Sequence, residues 1–310
     1  MSEYLVTGGA GFIGSNLVMK LLSLGHRVRV LDNFATGRRE NILPFIDKIQ
    51  LIEGDLRSYH TVREAVSGMD FILHQGALPS VPRSVKDPIT TNEVNVSGTL
   101  NVLDAARDAK VKRVVFASSS SIYGDSEILP KKETLLPNPI SPYATSKLAA
   151  EKYCQVFYRA YGLETVCLRY FNVFGPRQDP TSQYSAVIPK FITAALAGKP
   201  VTIYGDGEQS RDFTYVDNVV AANLMACEKD EIGGMVMNIA CNERITLNQV
   251  VSYLQQILNK EIQVQYLPPR IGDIRHSYAD ITLASNRLGY QPTVYFADGL
   301  RKTIEWYNML

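Results

Sequence analysis

The sequence predicts an α/β fold: a doubly wound parallel sheet followed by a smaller C-terminal lobe. Three observations predict it. Through the first half, short β-branched runs alternate with stretches of helical spacing, the pattern of a parallel sheet wrapped by helices on both faces. Near residue 171 that rhythm stops. At 310 residues the chain also exceeds one average domain.

Residues 4–7 read as the first strand. Phe12, Ile13, Leu17, Val18, Leu21 and Leu22 then recur at helical spacing, and Gly25 ends that helix. Strands are expected at 27–31, 49–52, 71–74, 113–117 and 164–169, with helices near 61–67, 90–109 and 142–161. Beyond Phe171, Gly, Pro and Gln punctuate 172–183, and a helix follows over 186–198. The strand-like runs 213–216 and 236–240 are expected to return to the main sheet. The first domain is therefore drawn as 1–171 with roughly 213–240, and the second lobe as 172–212 with 241–310.

Composition narrows the function. Hydrophobic residues make up 45% and charged residues 20%, which is that of a soluble globular chain. With 32 Lys+Arg against 31 Asp+Glu there is no broad cationic field, so neither nucleic acid nor an anionic membrane surface is an expected partner. Cys154, Cys167, Cys227 and Cys241 form no CxxC pair and have no His at metal spacing, so no metal is expected and buried thiols in a reducing compartment are. No run approaches 18 apolar residues and no leader pattern is visible, so a cytoplasmic protein is expected.

The first strand runs into Thr7-Gly8-Gly9-Ala10-Gly11-Phe12-Ile13-Gly14. Such a turn brings backbone N–H groups to a pyrophosphate at a helix N-terminus, with Gly8 and Gly11 allowing close approach and Gly14 close packing. Asp32 ends the second strand 18 residues beyond Gly14, where a carboxylate accepts hydrogen bonds from the adenosine ribose and repels a 2′-phosphate. The pattern selects NAD over NADP. Arg38 and Arg39 read as solvated loop charges. Asn33, Thr36 and Gly37 follow Asp32; Asp55 and Leu56 follow the third strand; Gln75, Gly76 and Ala77 follow the fourth. All are expected at the carboxyl edge that holds the cofactor.

Ser141 and Pro142 suit the start of a helix, which places Tyr143 and Lys147 on one face, four residues apart. An ammonium beside a phenol favours the phenolate, so Tyr143 is expected to have a lowered pKa and to act as a general base. Ser118, Ser119, Ser120 and Ser121 end the fifth strand at the same edge and offer hydroxyls to a reacting oxygen. His26, His60, His74 and His276 are scattered, and none is assigned a catalytic role.

Taken together, the glycine turn, Asp32, the serine run and Tyr143-Ala144-Thr145-Ser146-Lys147 resemble the extended short-chain dehydrogenase/reductase family. The likeness continues through Tyr170-Phe171-Asn172-Val173-Phe174-Gly175-Pro176, Gly207 to Phe213 and Arg270 to Ile281, so it covers essentially the whole chain. It is strongest to the UDP-sugar 4-epimerases, of the UDP-glucose and UDP-N-acetylglucosamine 4-epimerase types. The resemblance implies a Rossmann-type doubly wound parallel sheet with a smaller C-terminal substrate-binding lobe. It implies Tyr143 as base, Lys147 as its partner and a ribose ligand, Ser119 as catalytic serine, and Phe171 on the cofactor. Ser120, Asn172, Ala186, Val187, Tyr204, Arg211, Arg270, Asp273 and Ser277 would meet the UDP-sugar, with both arginines on the diphosphate. Asn95 matches a structural asparagine near the tyrosine, while Val94 stands where some relatives carry a polar cofactor contact. A homodimer is implied through the helices near 90–109 and 142–161, where Tyr153, Phe157 and Tyr161 form an aromatic stripe.

The fold hosts several reactions. Related dehydratases carry Asp-Glu where this chain has Ser120 and Ser121, and decarboxylases an acid at the second place. Elimination needs a general acid that neither serine supplies, so reversible oxidation at C4 of a UDP-hexose is expected, by way of a 4-keto sugar. Another sugar-nucleotide enzyme, such as a UDP-glucuronate 4-epimerase, and a non-catalytic dinucleotide sensor stand as alternatives.

Overall fold

The computed structural model describes residues 1–180, 186–269 and 274–309. Seven parallel strands build one sheet: β1 (Glu3–Thr7), β2 (Arg27–Asp32), β3 (Ile49–Glu53), β4 (Phe71–His74), β5 (Arg113–Ser119), β6 (Thr165–Tyr170) and β7 (Val236–Ile239). In space they run β3-β2-β1-β4-β5-β6-β7. The order reverses between β1 and β4, and at such a switch point the connections diverge and leave a crevice at the carboxyl ends.

Alternation along each strand sorts side chains to two faces. Tyr4 and Val6 of β1 join one apolar cluster with Leu17, Val18 and Leu21; Leu5, between them, joins a second with Val62, Val102 and Leu103. Both faces are covered, so the inner strands read as continuous apolar runs, such as Val114-Val115-Phe116-Ala117. Each fully buried aliphatic side chain contributes about 1.5–3 kcal/mol.

The helices of eight or more residues are α1 (Phe12–Ser23), α2 (Tyr59–Val66), α3 (Gly98–Asp108), α4 (Pro142–Tyr161), α5 (Val187–Leu196), α6 (Val216–Glu228), α7 (Leu247–Leu258) and α8 (Phe296–Asn308). Helix α4 matches its expected bounds because both ends carry strong local signals. The Ser141 hydroxyl accepts from the Ala144 N–H at 3.1 Å, Pro142 occupies the first turn, and Gly162 closes the helix at φ +69°.

Three expectations are corrected. Of the run 213–216, only Thr214–Tyr215 is a strand, and it pairs with Val173–Phe174 in a separate ladder, because β7 already takes the sheet edge beside β6. The helix expected near 90–109 is Pro88–Asn92, a π-helical turn Glu93–Ser97, and then α3. The aromatic stripe of α4 splits: Phe157 is 5% exposed and lies in the core, whereas Tyr153 and Tyr161 face outward. The four cysteines are free and buried, as expected. Among the described residues no helix is long and apolar enough to cross a membrane.

Candidate active site

A cavity of about 710 Å³ opens at the carboxyl ends of β1 to β5. Its floor is the turn from β1 into α1. Gly8 has φ +67°, and a Cβ on it would lie 2.8 Å from the Gly76 backbone; a Cβ on Gly14 would lie 2.1 Å from the Gly8 carbonyl oxygen. Both glycines are therefore set by close approach. Helix α1 starts after Gly11 with no side-chain cap and no acidic residue in its first turn. With Gly11, Phe12, Ile13 and Gly14 all lining the cavity, its N-terminal N–H groups are left to an anion.

Asp32 ends β2 at one wall, 7% exposed. Its carboxylate accepts from the Ala10 N–H at 2.9 Å and from the Phe34 N–H at 2.9 Å. Burial pushes its pKa up, and those two bonds pull it back. Gly37 lies so close that a Cβ there would come 2.8 Å from an Asp32 oxygen, so a larger side chain would fill the space beside the carboxylate. Asn33, Thr36, Asp55 and Leu56 complete this wall. Asn33 donates to Asp55 at 3.0 Å, and Arg57 holds the Asp55 carboxyl down to about 2. Arg39 is turned onto Glu53 and the Phe34 ring. Arg38 lines the cavity and pairs with Glu40 and Asp179, a role that the solvated reading did not foresee.

The turn after β4 carries Gln75, Gly76 and Ala77, all lining the cavity. It is held by a buried chain of hydrogen bonds: Gly76 N–H to Thr7 Oγ1 (3.1 Å), Thr7 Oγ1 to His74 Nδ1 (2.6 Å), His74 Nε2 to Thr99 Oγ1 (3.0 Å), and Thr99 Oγ1 to the Asn95 carbonyl (2.7 Å). Thr99 gives its proton to the Asn95 carbonyl, so His74 Nε2–H donates to Thr99 Oγ1, and in the neutral ring Nδ1 then accepts from the Thr7 hydroxyl. Burial, and then Lys147, lower the His74 pKa to about 3. The Asn95 side chain accepts from the Leu78 N–H at 2.7 Å and donates to Ser146 Oγ at 3.0 Å, which ties this turn to α4. Ser146 Oγ donates in turn to the Tyr143 carbonyl at 2.8 Å, so Asn95 is linked to the tyrosine's turn of α4. Val94 lines the cavity with an apolar surface.

Tyr143 and Lys147 reach the cavity from α4. Lys147 is 4% exposed; its Nζ donates to the Ala117 carbonyl at 2.7 Å and lies 4.7 Å over the Phe116 ring. Burial brings its pKa down to about 8. The Tyr143 phenol is shifted up by burial, against the expected lowering, and the opposing influence is a hydrogen bond from Ser119. The four serines divide their work. Ser118 donates to Glu151 at 2.7 Å, Ser119 accepts from the Ser121 N–H at 3.2 Å beside Tyr143, and Ser120 opens the short turn Ser120–Tyr123.

Other expected residues are placed unevenly. Phe171 does not line the cavity; it is wholly buried with Ile122, Tyr123, Ala240 and Ala279, because strand alternation turns Tyr170 inward instead. Ala186 lines the cavity as the cap of α5, and the half-buried Val187 follows it. Asn172, at φ +34°, donates to the Asp212 carbonyl at 3.1 Å. Arg211 donates to the carbonyls of Ser210 and Arg275, and the Ser277 N–H donates to the Ser210 carbonyl at 3.0 Å, which brings 211 and 277 together. Tyr204 ends the strand Val201–Tyr204, half-buried. Arg270 and Asp273 lie outside the described residues. The cavity also takes in Ser80, Arg83, Arg177, Gln178 and Asp179, which sequence reasoning missed. The Gly175-Pro176 turn at the carboxyl edge was the available signal for the last three.

These features fit a dinucleotide: uncapped N–H groups for a pyrophosphate, a buried carboxylate for a ribose, and glycines where side chains would obstruct. Comparison with known proteins agrees. The chain is similar to the UDP-glucose 4-epimerase of Mycolicibacterium smegmatis, 38% identical over 98% of both chains. Its fold superposes on the UDP-N-acetylglucosamine 4-epimerase of Methanobrevibacter ruminantium in complex with UDP-N-acetylmuramic acid, with TM-score 0.95, 40% identity, and coverage of 99% of this chain and 98% of that one. It also superposes on the Thermus thermophilus UDP-glucose 4-epimerase complex with NAD, with TM-score 0.89, 39% identity and 99% of each chain covered. Residues 4–240, which hold the glycine turn, Asp32 and the helix of Tyr143 and Lys147, match the NAD dependent epimerase/dehydratase family, and the chain belongs to that family.

Proposed function

We propose that this chain is an NAD-dependent 4-epimerase of UDP-hexoses, acting on UDP-glucose/UDP-galactose and on the N-acetylated pair UDP-GlcNAc/UDP-GalNAc. The observation that carries the reading is the grouping of Ser119, Tyr143 and Lys147 at the edge of the Asp32-walled cavity. In this reading Asp32 accepts from the adenosine ribose, and the α1 N-terminus holds the pyrophosphate. Bound NAD supplies a reversible hydride acceptor and a cationic ring.

Tyr143 takes the C4 hydroxyl proton and later returns it. Its phenol is hard to ionise in the chain alone, so the Ser119 hydrogen bond and a neighbouring positive charge must both lower that cost. Lys147, fixed on the Ala117 carbonyl, supplies charge and a ribose contact. In this reading Asn172, Val187 at the start of α5, Arg211 in the short strand Ser210–Arg211, and Ser277 hold the UDP-sugar. The carboxylates lining the cavity are Asp32, Asp55 and Asp179; Asp55 is held by Arg57 and Asp179 by Arg38. Glu151, behind the serines, is wholly buried and paired to Arg169. Among the described residues none is free beside Tyr143 to protonate a departing hydroxyl, which supports epimerisation over elimination.

The proposed form is a homodimer. Tyr153 and Val156 on α4 and Ile89 on the neighbouring short helix are exposed apolar groups that a second copy would cover.

Proton NMR after incubation with UDP-glucose and, separately, UDP-GlcNAc tests the function. The expected products are UDP-galactose and UDP-GalNAc, without net consumption of added NAD. A 4-keto-6-deoxy product, stoichiometric reduced cofactor or conversion of UDP-glucuronate alone would reject it.

A further inference from the structure

One buried charge pair is used by none of the roles above. Glu151 is 0% exposed and Arg169 3%. Arg169 Nη2 donates to Glu151 Oε1 at 2.7 Å, and its Nε donates to Oε2 at 3.0 Å, a two-point fork. Glu151 lies one turn beyond Lys147 on α4, and Arg169 precedes Tyr170 on β6. Further groups join them. Ser118 Oγ donates to Glu151 Oε2 at 2.7 Å, and Arg169 Nη1 donates to the Tyr123 hydroxyl at 2.8 Å. Tyr123 passes its own proton to Asn238 Oδ1 of β7 at 2.7 Å.

One carboxylate–guanidinium fork therefore ties α4, the end of β5, the turn after the serines, β6 and β7. The first of these carries Tyr143 and Lys147. The second carries Ser119, flanked by Ser118 and by Ala117, the acceptor for Lys147.

A buried charge pair is weak evidence of stability, because stripping water from two ions offsets much of their attraction. What the fork supplies is direction, because a planar guanidinium meets a carboxylate at two points and fixes both distance and angle.

We propose that the Glu151–Arg169 pair is a positioning element for the reaction, setting the separation between the serine run and Tyr143. The proposal rests on the reading of Ser119, Tyr143 and Lys147 as the reacting set. Without the fork, α4 and β5 still pack, but the separation of the Ser119 hydroxyl from the Tyr143 phenol is no longer fixed. The phenol then becomes harder to ionise and turnover falls, whereas UDP-sugar binding, made by other loops, is kept.

Removing one partner would leave a buried charge, so the main test removes both, as Glu151→Leu with Arg169→Met, in the NAD-loaded enzyme with folding checked by thermal melting. The expected result is KM within about threefold of wild type and kcat lower by at least about tenfold, the scale of a small misplacement of reacting groups. Carbon-13 NMR of ring-labelled tyrosine should show the Tyr143 midpoint raised by about half a unit or more. A kcat within twofold, or a lower kcat with an unmoved midpoint, overturns the proposal. If the double variant does not fold, Ser118→Ala, which leaves both charges paired and cuts only the link from Glu151 to the end of β5, takes its place with the same readouts and the same criteria. If wild type interconverts no UDP-sugar, the proposed function fails, and the tyrosine midpoint by itself decides whether the pair positions the site.

Discussion

Lys147 Nζ donates to the carbonyl oxygen of Ala117 at 2.7 Å, so the helix bearing Tyr143 is anchored to the strand that ends in the serines. A charged donor to a buried carbonyl contributes about 1.5–3 kcal/mol, enough to fix the face that the helix presents to the cavity.

Tyr143→Phe keeps the ring and removes the proton acceptor. Turnover should fall by at least about 10²-fold, with NAD still bound, as expected for loss of a general base. Wild-type turnover measured by coupled assay would remove Tyr143 from the mechanism.

Asp32→Ala removes the carboxylate that faces the expected ribose. NAD affinity, read by calorimetry, should fall by about tenfold or more, the scale of one or two hydrogen bonds to a charged acceptor. Discrimination against NADP should relax in parallel. Unchanged NAD affinity would contradict the cofactor reading of this wall.

His74 makes the fold acid-sensitive. Its pKa is lowered to about 3 in the folded chain, whereas in the unfolded chain it takes up a proton below about 6.5. The unfolded state then binds more protons, so stability is lost as pH falls from 6.5 toward 3, by about 2 kcal/mol at pH 5. Urea unfolding at pH 7.5 and pH 5 should show that loss in wild type and a smaller one in His74→Gln. Equal losses would mean that His74 is not the group responsible.

Ser277 is held to Ser210, next to Arg211, by its backbone N–H. In the proposed reading Ser277 faces the C2 substituent of the sugar, where a serine would leave room for an N-acetyl group that a tyrosine ring would fill. Ser277→Tyr should lower kcat/KM for UDP-GlcNAc far more than for UDP-glucose. Equal losses on both would assign pocket size to another residue.

The sequence by itself determined the seven strands of the sheet, the helix bounds of 142–161 and most of the cavity wall around Asp32, because those rest on local rules. Alternating runs, a capped helix with Pro142 and Gly162, and glycines at a strand-to-helix turn are each decided within a few residues of chain. Only the tertiary structure decided which neighbours compete. Phe171 and Tyr170 are both aromatic residues at the end of one strand, and nothing local says which meets the cavity; the pleat and the packing of Tyr123 against Phe171 decide it. Thr214–Tyr215 looked like a sheet strand and lost that place to β7. Glu151 meets Arg169 across 18 residues and Thr7 meets His74 across 67, pairs invisible to any local pattern. Their partners are chosen by burial, since a polar group shut away from water must bond to whatever the fold brings within reach.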